Sequence, residues 1–164
     1  MNHSTPLSRF FTYGEAIRSD AADRLHLDNT PGPRELANLK ALCGEVMDRI
    51  RVKFGRPIRP TSMYRAPGVN QAVGGSATSQ HMSGQACDFE IAGMDNLAIA
   101  RAIAADESIP FDQLILEFYV PGVPSSGWVH ISHDPDKPRQ RRDVRTAYKG
   151  RPKTVPGLPD GGTV

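Results

Sequence analysis

Long apolar runs and cysteines are scarce in this sequence, and neither sign of charge dominates it. The two cysteines, Cys43 and Cys87, lie in apolar surroundings, which favours buried thiols over a disulfide. No stretch reaches the ~18 apolar residues that a membrane span needs, and the N-terminus lacks the segments of a signal peptide. A net charge of +2 gives no general argument for a nucleic-acid partner. We expect a monomer that is made in the cytoplasm.

The hydrophobic pattern predicts an α+β fold. Apolar side chains recur at three- and four-residue steps from Leu36 to Ile50, which predicts a long helix that begins near Pro33 and ends near Gly55. Another short helix is expected after the capping box of Thr12 and Glu15. Strands are predicted at 58–64, 86–91, 113–119 and 128–132, with an Ala-rich helix at 95–105. Helices that precede and interrupt a small, mainly antiparallel sheet define the α+β class.

The apolar pattern ends near residue 133. We therefore predict one domain at 1–133, followed by a Pro- and Gly-rich C-terminal tail (residues 134–164) that is extended or disordered. Between positions 137 and 153 the sequence has eight basic residues and only one acidic residue, Asp143. Such a tail either keeps the protein in solution or attracts an anionic polymer.

Reactive side chains are concentrated around His81, Asp88 and His130. A catalytic zinc ion needs three protein ligands of the His, Asp or Glu type and one open position. His81 would end a Gly-rich loop, Asp88 would lie in the strand after the turn at Gly84, and His130 would lie in a neighbouring hairpin. Spacing alone leaves open whether these residues bind a metal or are hydrogen-bonded structural residues.

Four separated motifs appear in an order that resembles the zinc D-Ala-D-Ala peptidase family, in particular its small single-domain phage and prophage members of the endolysin type. They are TSMYRAPGVN at 61–70, VGGSATSQHMSGQACD at 73–88, FDQLILEF at 111–118 and GWVHIS at 127–132. The resemblance implies the hedgehog/D,D-peptidase type of α+β fold. It also implies Zn²⁺ bound by His81, Asp88 and His130, and peptidoglycan as the partner.

Metal-assisted peptide hydrolysis also needs a carboxylate that moves the proton of the attacking water. Many relatives place an acid three positions before the last metal-binding histidine, which is His130 here, but this chain has Gly127 at that position. We predict Glu117 as the base, because an antiparallel hairpin with its turn near 123–124 would bring it opposite His130. Asp112 and His133 are secondary candidates.

The resemblance also suggests residues that contact the substrate. Arg65 matches the family arginine that faces the developing oxyanion, although it could also be a surface ion-pair partner. Ser79 matches a substrate-contacting position, and its alternative is a hydroxyl that caps a turn. Tyr64 and Trp128 could line the cleft, although large aromatic side chains in strands are usually core residues.

These features predict a zinc metallopeptidase that hydrolyses bonds involving D-amino acids in the stem peptides of bacterial cell wall. It would be a D,D-carboxypeptidase or an endopeptidase that reaches the wall after release or delivery, and it could be encoded by a phage. The alternative is a non-catalytic wall-binding or virion module that retains the fold, and the missing acid at Gly127 favours it.

Overall fold

The computed structural model describes residues 1–160 and confirms the α+β class. Six strands form one mostly antiparallel sheet in the order β1-β2-β4-β3-β5-β6, with β1 at an edge as expected from Pro60. The strands are β1 Ile58–Ser62, β2 Ala86–Ile91, β3 Gln113–Tyr119, β4 Trp128–Ser132, β5 Asp143–Tyr148 and β6 Val155–Pro156.

The helices flank this sheet. They are α1 Tyr13–Ile17, α2 Asp20–Leu25, α3 Pro33–Ala41, α4 Asp48–Phe54, α5 Pro67–Ala72 and α6 Asn96–Ala104. The predicted long helix is present as α3 and α4, joined without a break by a π-helical segment at Leu42–Met47. It ends at Gly55, whose left-handed φ of 60° suits a glycine. The capping box of Thr12 and Glu15 begins α1 as predicted. No helix within residues 1–160 is long and apolar enough to cross a membrane.

The two faces of the sheet differ in chemistry because side chains alternate along each strand. On one face, apolar side chains pack with those of the long helix and α6. They include Cys87, Phe89, Leu114, Leu116, Val129 and Ile131. The other face carries the residues between them, among which are Asp88, Glu117 and His130. This alternation brings the reactive side chains to one face of a rigid sheet.

The structure differs from the expected C-terminal tail. Strand β5 pairs in parallel with β3, from Gln113 opposite Asp143 to Tyr119 opposite Tyr148, and β6 pairs with β5. The domain boundary predicted at 133 therefore falls between two strands of one sheet. Residues 161–164 of the predicted tail lie outside the described residues.

Buried ion pairs help to hold strand β5 in the sheet, although its sequence has no apolar stripe. Asp112, which is fully buried, accepts hydrogen bonds from the Nε and Nη2 atoms of Arg141 at 2.9 and 2.6 Å and from Lys137 Nζ at 3.0 Å. Arg142 donates to the carbonyl groups of Ile109 and Ala104. Backbone pairing and these contacts hold the segment, and neither produces a hydrophobic pattern in the sequence.

Truncation after His133 is therefore expected to destabilise the whole domain. It would remove the partner of β3 and leave the Asp112 carboxylate buried without its cations, a type of loss that typically costs 3–5 kcal/mol. In thermal melts followed by circular dichroism, the melting temperature should fall by roughly 10 °C or more, or the transition should vanish. Lys153→Ser, at an exposed position of the same segment, is the control. An unchanged melting temperature after truncation would contradict this role.

Candidate metal centre and active-site cleft

The three predicted ligands meet at one point on the polar face of the sheet. Asp88 in β2 and His130 in β4 are register partners, and Asp88 Oδ1 lies 2.8 Å from His130 Nδ1. The same oxygen lies 3.2 Å from His81 Nε2. All three residues are buried, and one potential ligand atom from each lies within 4.8 Å of the others.

A tight turn delivers His81 to this cluster. Gly84 has a φ of 70°, and a Cβ there would lie 2.4 Å from the carbonyl oxygen of Glu35, so only glycine fits. His81 Nδ1 lies 2.6 Å from the carbonyl oxygen of Met63. Since a carbonyl oxygen only accepts, Nδ1 carries a proton, so in the neutral imidazole the lone pair of Nε2 faces Asp88. Such an outer hydrogen bond is how proteins fix the tautomer and ring orientation of a metal-binding histidine.

Arg65 binds the second carboxylate oxygen of Asp88, which the histidines do not contact. Its Nη2 donates to Asp88 Oδ2 at 2.6 Å, and its Nε donates to Ser62 Oγ at 2.7 Å. Thr61 Oγ1 also donates to the backbone carbonyl of Asp88. One carboxylate oxygen is therefore held by the guanidinium, and the other remains for the two histidines.

The protonation states suit a cation site. Burial opposes ionisation of Asp88, but His81 and His130 lower its pKa far below the usual range. Burial also lowers the pKa of His81, while the neighbouring charge of Asp88 acts in the opposite direction. For His130, burial acts in the same direction, but the hydrogen bond to Asp88 outweighs it and raises the pKa. The cluster thus attracts positive charge, and a metal ion would compete with a proton for it.

These donors fit zinc. Two imidazole nitrogens and one carboxylate oxygen form a three-ligand set that leaves one coordination position open. The observed separations of 2.8 and 3.2 Å approach the ~3.3 Å edge of a tetrahedron with ~2.0 Å bonds. Within residues 1–160, no other group of His, Cys, Asp and Glu side chains converges in this way. The cluster opens into a cleft of about 690 Å³, so a metal held by these residues would be accessible from the cleft.

Glu117 lies beside the cluster, although not in the register that the sequence predicts. Ile115 is opposite His130, and Glu117 is opposite Trp128. The difference arises because the turn closes earlier than predicted, with an isolated bridge between residues 120 and 123.

The Glu117 side chain nevertheless reaches the site as a diagonal neighbour on the same face of the sheet. Its Oε1 atom lies 4.0 Å from His130 Nδ1, and one quarter of the side chain is exposed. Burial raises the pKa of Glu117, and the nearby charge of Asp88 adds to this effect while His130 opposes it. A partly buried carboxylate at the edge of a metal cluster can accept a proton from a water molecule in the cleft.

The backbone at Gly127 explains why no acid occupies the position three residues before His130. Its φ is 68°, and a Cβ there would lie only 1.7 Å from the carbonyl oxygen of Glu117. This backbone admits no side chain at 127. The carboxylate at the cleft comes instead from the facing strand, at Glu117.

The structure places the two secondary candidates, Asp112 and His133, outside the cleft. Asp112 is enclosed in the ion pairs with Arg141 and Lys137, and although burial opposes its ionisation, these cations lower its pKa. His133 Nδ1 donates to the carbonyl oxygen of Pro110 at 2.8 Å, and Nε2 lies 3.3 Å from Glu45 Oε2. Both side chains hold the fold together, so neither is placed to exchange protons in the cleft.

Two of the three residues that were predicted to contact substrate lie at the cleft. Ser79 and Trp128 line the cleft, whereas Tyr64 is buried in the core and does not. Sequence reasoning missed Arg18 and Phe118, which also line it. No motif marked Arg18. Strand alternation would place Phe118 in the core, so its position could not be read from the pattern.

Comparison with known proteins supports the geometric interpretation. A family model described as peptidase M15 matches residues 10–132, which include all three cluster residues, Glu117 and Arg65. No curated protein matches this chain significantly. Since the match covers most of the chain, this protein belongs to the peptidase M15 family of zinc-dependent D-Ala-D-Ala peptidases and is a metallopeptidase.

Proposed function

We propose that this protein hydrolyses a peptide bond in the stem peptides of peptidoglycan, with zinc held by His81 Nε2, Asp88 Oδ1 and His130 Nδ1. The observation that carries the proposal is the buried His-Asp-His cluster with the Glu117 carboxylate 4.0 Å away in an open cleft. Family membership supplies the class of substrate.

The roles of the side chains follow from their positions. Zinc held by these three residues would supply a Lewis acid, which would polarise the scissile carbonyl and lower the pKa of water toward ~7. Glu117 takes the proton of the attacking water and returns it to the leaving amine. His81 and Asp88 are oriented by hydrogen bonds with Met63 and Arg65, so these two ligands are already in place before a metal binds.

Arg65 has two roles in this proposal. Its Nη2 orients Asp88, and the rest of its guanidinium lines the cleft, where it stabilises the negative charge that develops on the carbonyl oxygen. Only a planar guanidinium can donate to Ser62, to Asp88 and into the cleft at once.

Arg65→Lys is accordingly expected to lower kcat by roughly 10- to 10²-fold while zinc content stays close to one ion per chain. Initial rates on purified muropeptides and metal analysis of the same samples provide the measurement. Arg24→Lys, on the exposed surface of α2, is the matched control. Wild-type kcat in Arg65→Lys would show that a simple point charge suffices.

The carboxypeptidase and endopeptidase modes differ in product, and either would serve cell-wall lysis or remodelling. A carboxypeptidase releases one D-amino acid from the end of a stem, whereas an endopeptidase cuts within a stem or cross-link. The alternative of a non-catalytic wall-binding module rested on the missing acid at Gly127. The position of Glu117 disfavours it, because a carboxylate is present at the cluster.

Incubation with purified cell walls tests the proposed function. Zinc-loaded protein should lower the turbidity of the walls or release amino groups, and a chelator should stop the reaction. Co-sedimentation with walls that remain chemically unchanged would instead support the binding module.

A further inference from the structure

Phe118 occupies an unexpected place at the rim of the cleft. Along β3, Leu114 and Leu116 face the core, so strict alternation would bury Phe118 as well. Instead Tyr119 is buried and Phe118 is 50% exposed, because the pairing of β3 with β5 shifts register between Leu116 and Tyr119. Irregularities of this kind re-aim a side chain and are common beside active sites. This one moves Phe118 to the cleft, next to Glu117.

The backbone of Phe118 is held in an unfavourable conformation by its neighbours. Its φ of 53° lies in the left-handed region, which is disfavoured for a bulky side chain. Before it, Glu117 is paired with Trp128 in β4, and after it, Tyr119 accepts a hydrogen bond from the backbone N–H of Lys149 at 3.0 Å. Strain of this type persists where the surroundings impose it, and it is concentrated at binding and catalytic sites.

Hydrogen bonds also hold the segment at 125–127, which leads from the turn into β4. The buried Asn96, at the start of α6, donates through Nδ2 to the carbonyl oxygens of Gly127 at 2.8 Å and Ser125 at 3.1 Å. The Ser126 hydroxyl accepts from the backbone N–H of Val120 at 2.8 Å. The position of Phe118 is therefore pre-organised and does not depend on a ligand.

The exposed phenyl ring of Phe118 is stacked on the indole ring of Trp128, so that the phenyl ring keeps one face free. Their ring centroids are 4.9 Å apart and the ring planes differ by 23°, which is a stacked arrangement. Both residues line the cleft, and Phe118 directly follows Glu117 in the chain. We call this pair the aromatic platform.

We propose that the aromatic platform is a substrate subsite that packs against the aliphatic side chain of the stem-peptide residue flanking the scissile bond. This inference rests on the proposed function. An extended peptide advances at most ~3.6 Å per residue, so a surface adjacent to the general base meets the residue next to the bond. Apolar contact is what a flat aromatic surface offers, and a small side chain such as the methyl group of D-Ala fits it.

Phe118→Gly separates a binding role from a structural one. Glycine adopts a φ of 53° without strain, so the variant should melt at or above the wild-type temperature. It lacks the ring, however, and should bind a synthetic stem pentapeptide ending in D-Ala-D-Ala about tenfold more weakly. Val123→Ala, at an exposed apolar position of the same hairpin outside the cleft, is the control and should bind normally.

The readout is the fluorescence of Trp128, which is the only tryptophan of the chain. Titration of the pentapeptide into zinc-loaded Glu117→Gln protein, which prevents turnover, should change the emission in a saturable way. Adding Phe118→Gly to that background should shift the midpoint about tenfold.

The outcomes separate the two proposals. If wild-type protein cleaves muropeptides but emission does not respond and Phe118→Gly cleaves equally well, the platform is refuted and the peptidase stands. If emission responds and depends on Phe118 but no bond is cut, the platform stands as a peptide-binding surface and the peptidase fails. If neither occurs, both fail. A lower melting temperature of Phe118→Gly with unchanged peptide affinity would show that the ring serves only the fold.

Discussion

His130→Ala and His81→Ala should each lose stoichiometric zinc, and with it at least roughly 10³-fold in cleavage of muropeptides. Removing an outer hydrogen-bond partner of a metal ligand already costs 10- to 100-fold, and these variants remove a ligand itself. Each would leave two donors, one of them Asp88, whose second oxygen remains occupied by Arg65. Zinc per chain, measured by elemental analysis after dialysis, should fall from one to near zero at equal protein concentration.

The control for this experiment is His3→Ala, because His3 is an exposed histidine outside the cluster. It should keep one zinc per chain and full activity. Melting curves of all variants without metal separate loss of the site from loss of the fold. Full zinc occupancy in both His81→Ala and His130→Ala would mean that the metal is bound elsewhere.

Glu117→Gln should retain zinc and the fold but lose roughly 10²- to 10⁴-fold in kcat, the range that a positioned acid-base group contributes. The amide has the same shape as the carboxylate but cannot take a proton from water. Because Glu117 is not one of the three converging donors, the metal should stay bound. The measurement is kcat on muropeptides, with metal content determined on the same preparation.

Glu107→Gln is the matched control, since Glu107 is an exposed glutamate that does not line the cleft. Its kcat should equal that of the wild type. If Glu117→Gln also turns over at the wild-type rate, proton transfer needs another group or a water chain. Asp112 would not be that group, because its carboxylate is enclosed by Arg141 and Lys137.

The sequence predicted those parts of the fold that carry a hydrophobic period. Three of the predicted strands, β2 to β4, have the bounds found in the structure, and the long helix begins and ends at Pro33 and Gly55 as expected. Strand β5 could not be recognised, because its side chains are mostly half-buried and charge pairs with Asp112 hold the preceding segment in place. Such contacts depend on the fold and leave no local pattern.

In the candidate site, too, some features can be predicted from the sequence and others depend on the fold. The spacing of His81, Asp88 and His130 is compatible with a metal site but does not require one. The prediction of zinc ligands depends on the resemblance of four motifs to a known family. The sequence predicts Glu117 opposite His130, whereas the structure pairs it with Trp128, because register depends on how the turn closes. The exposure of Phe118 contradicts strand alternation, and only the register shift beside it explains its position.

Mass spectrometry of muropeptides from purified peptidoglycan is the most direct test of zinc-dependent cleavage by this protein. The digest is run with metal-free protein, with the same protein after zinc is restored, and with zinc-loaded Glu117→Gln. We predict that new fragments appear only with zinc-loaded wild-type protein, that each pair of fragments sums to a parent mass plus one water, and that all cuts fall at one type of bond. An unchanged muropeptide profile with protein that demonstrably holds one zinc per chain would contradict the proposed peptidase.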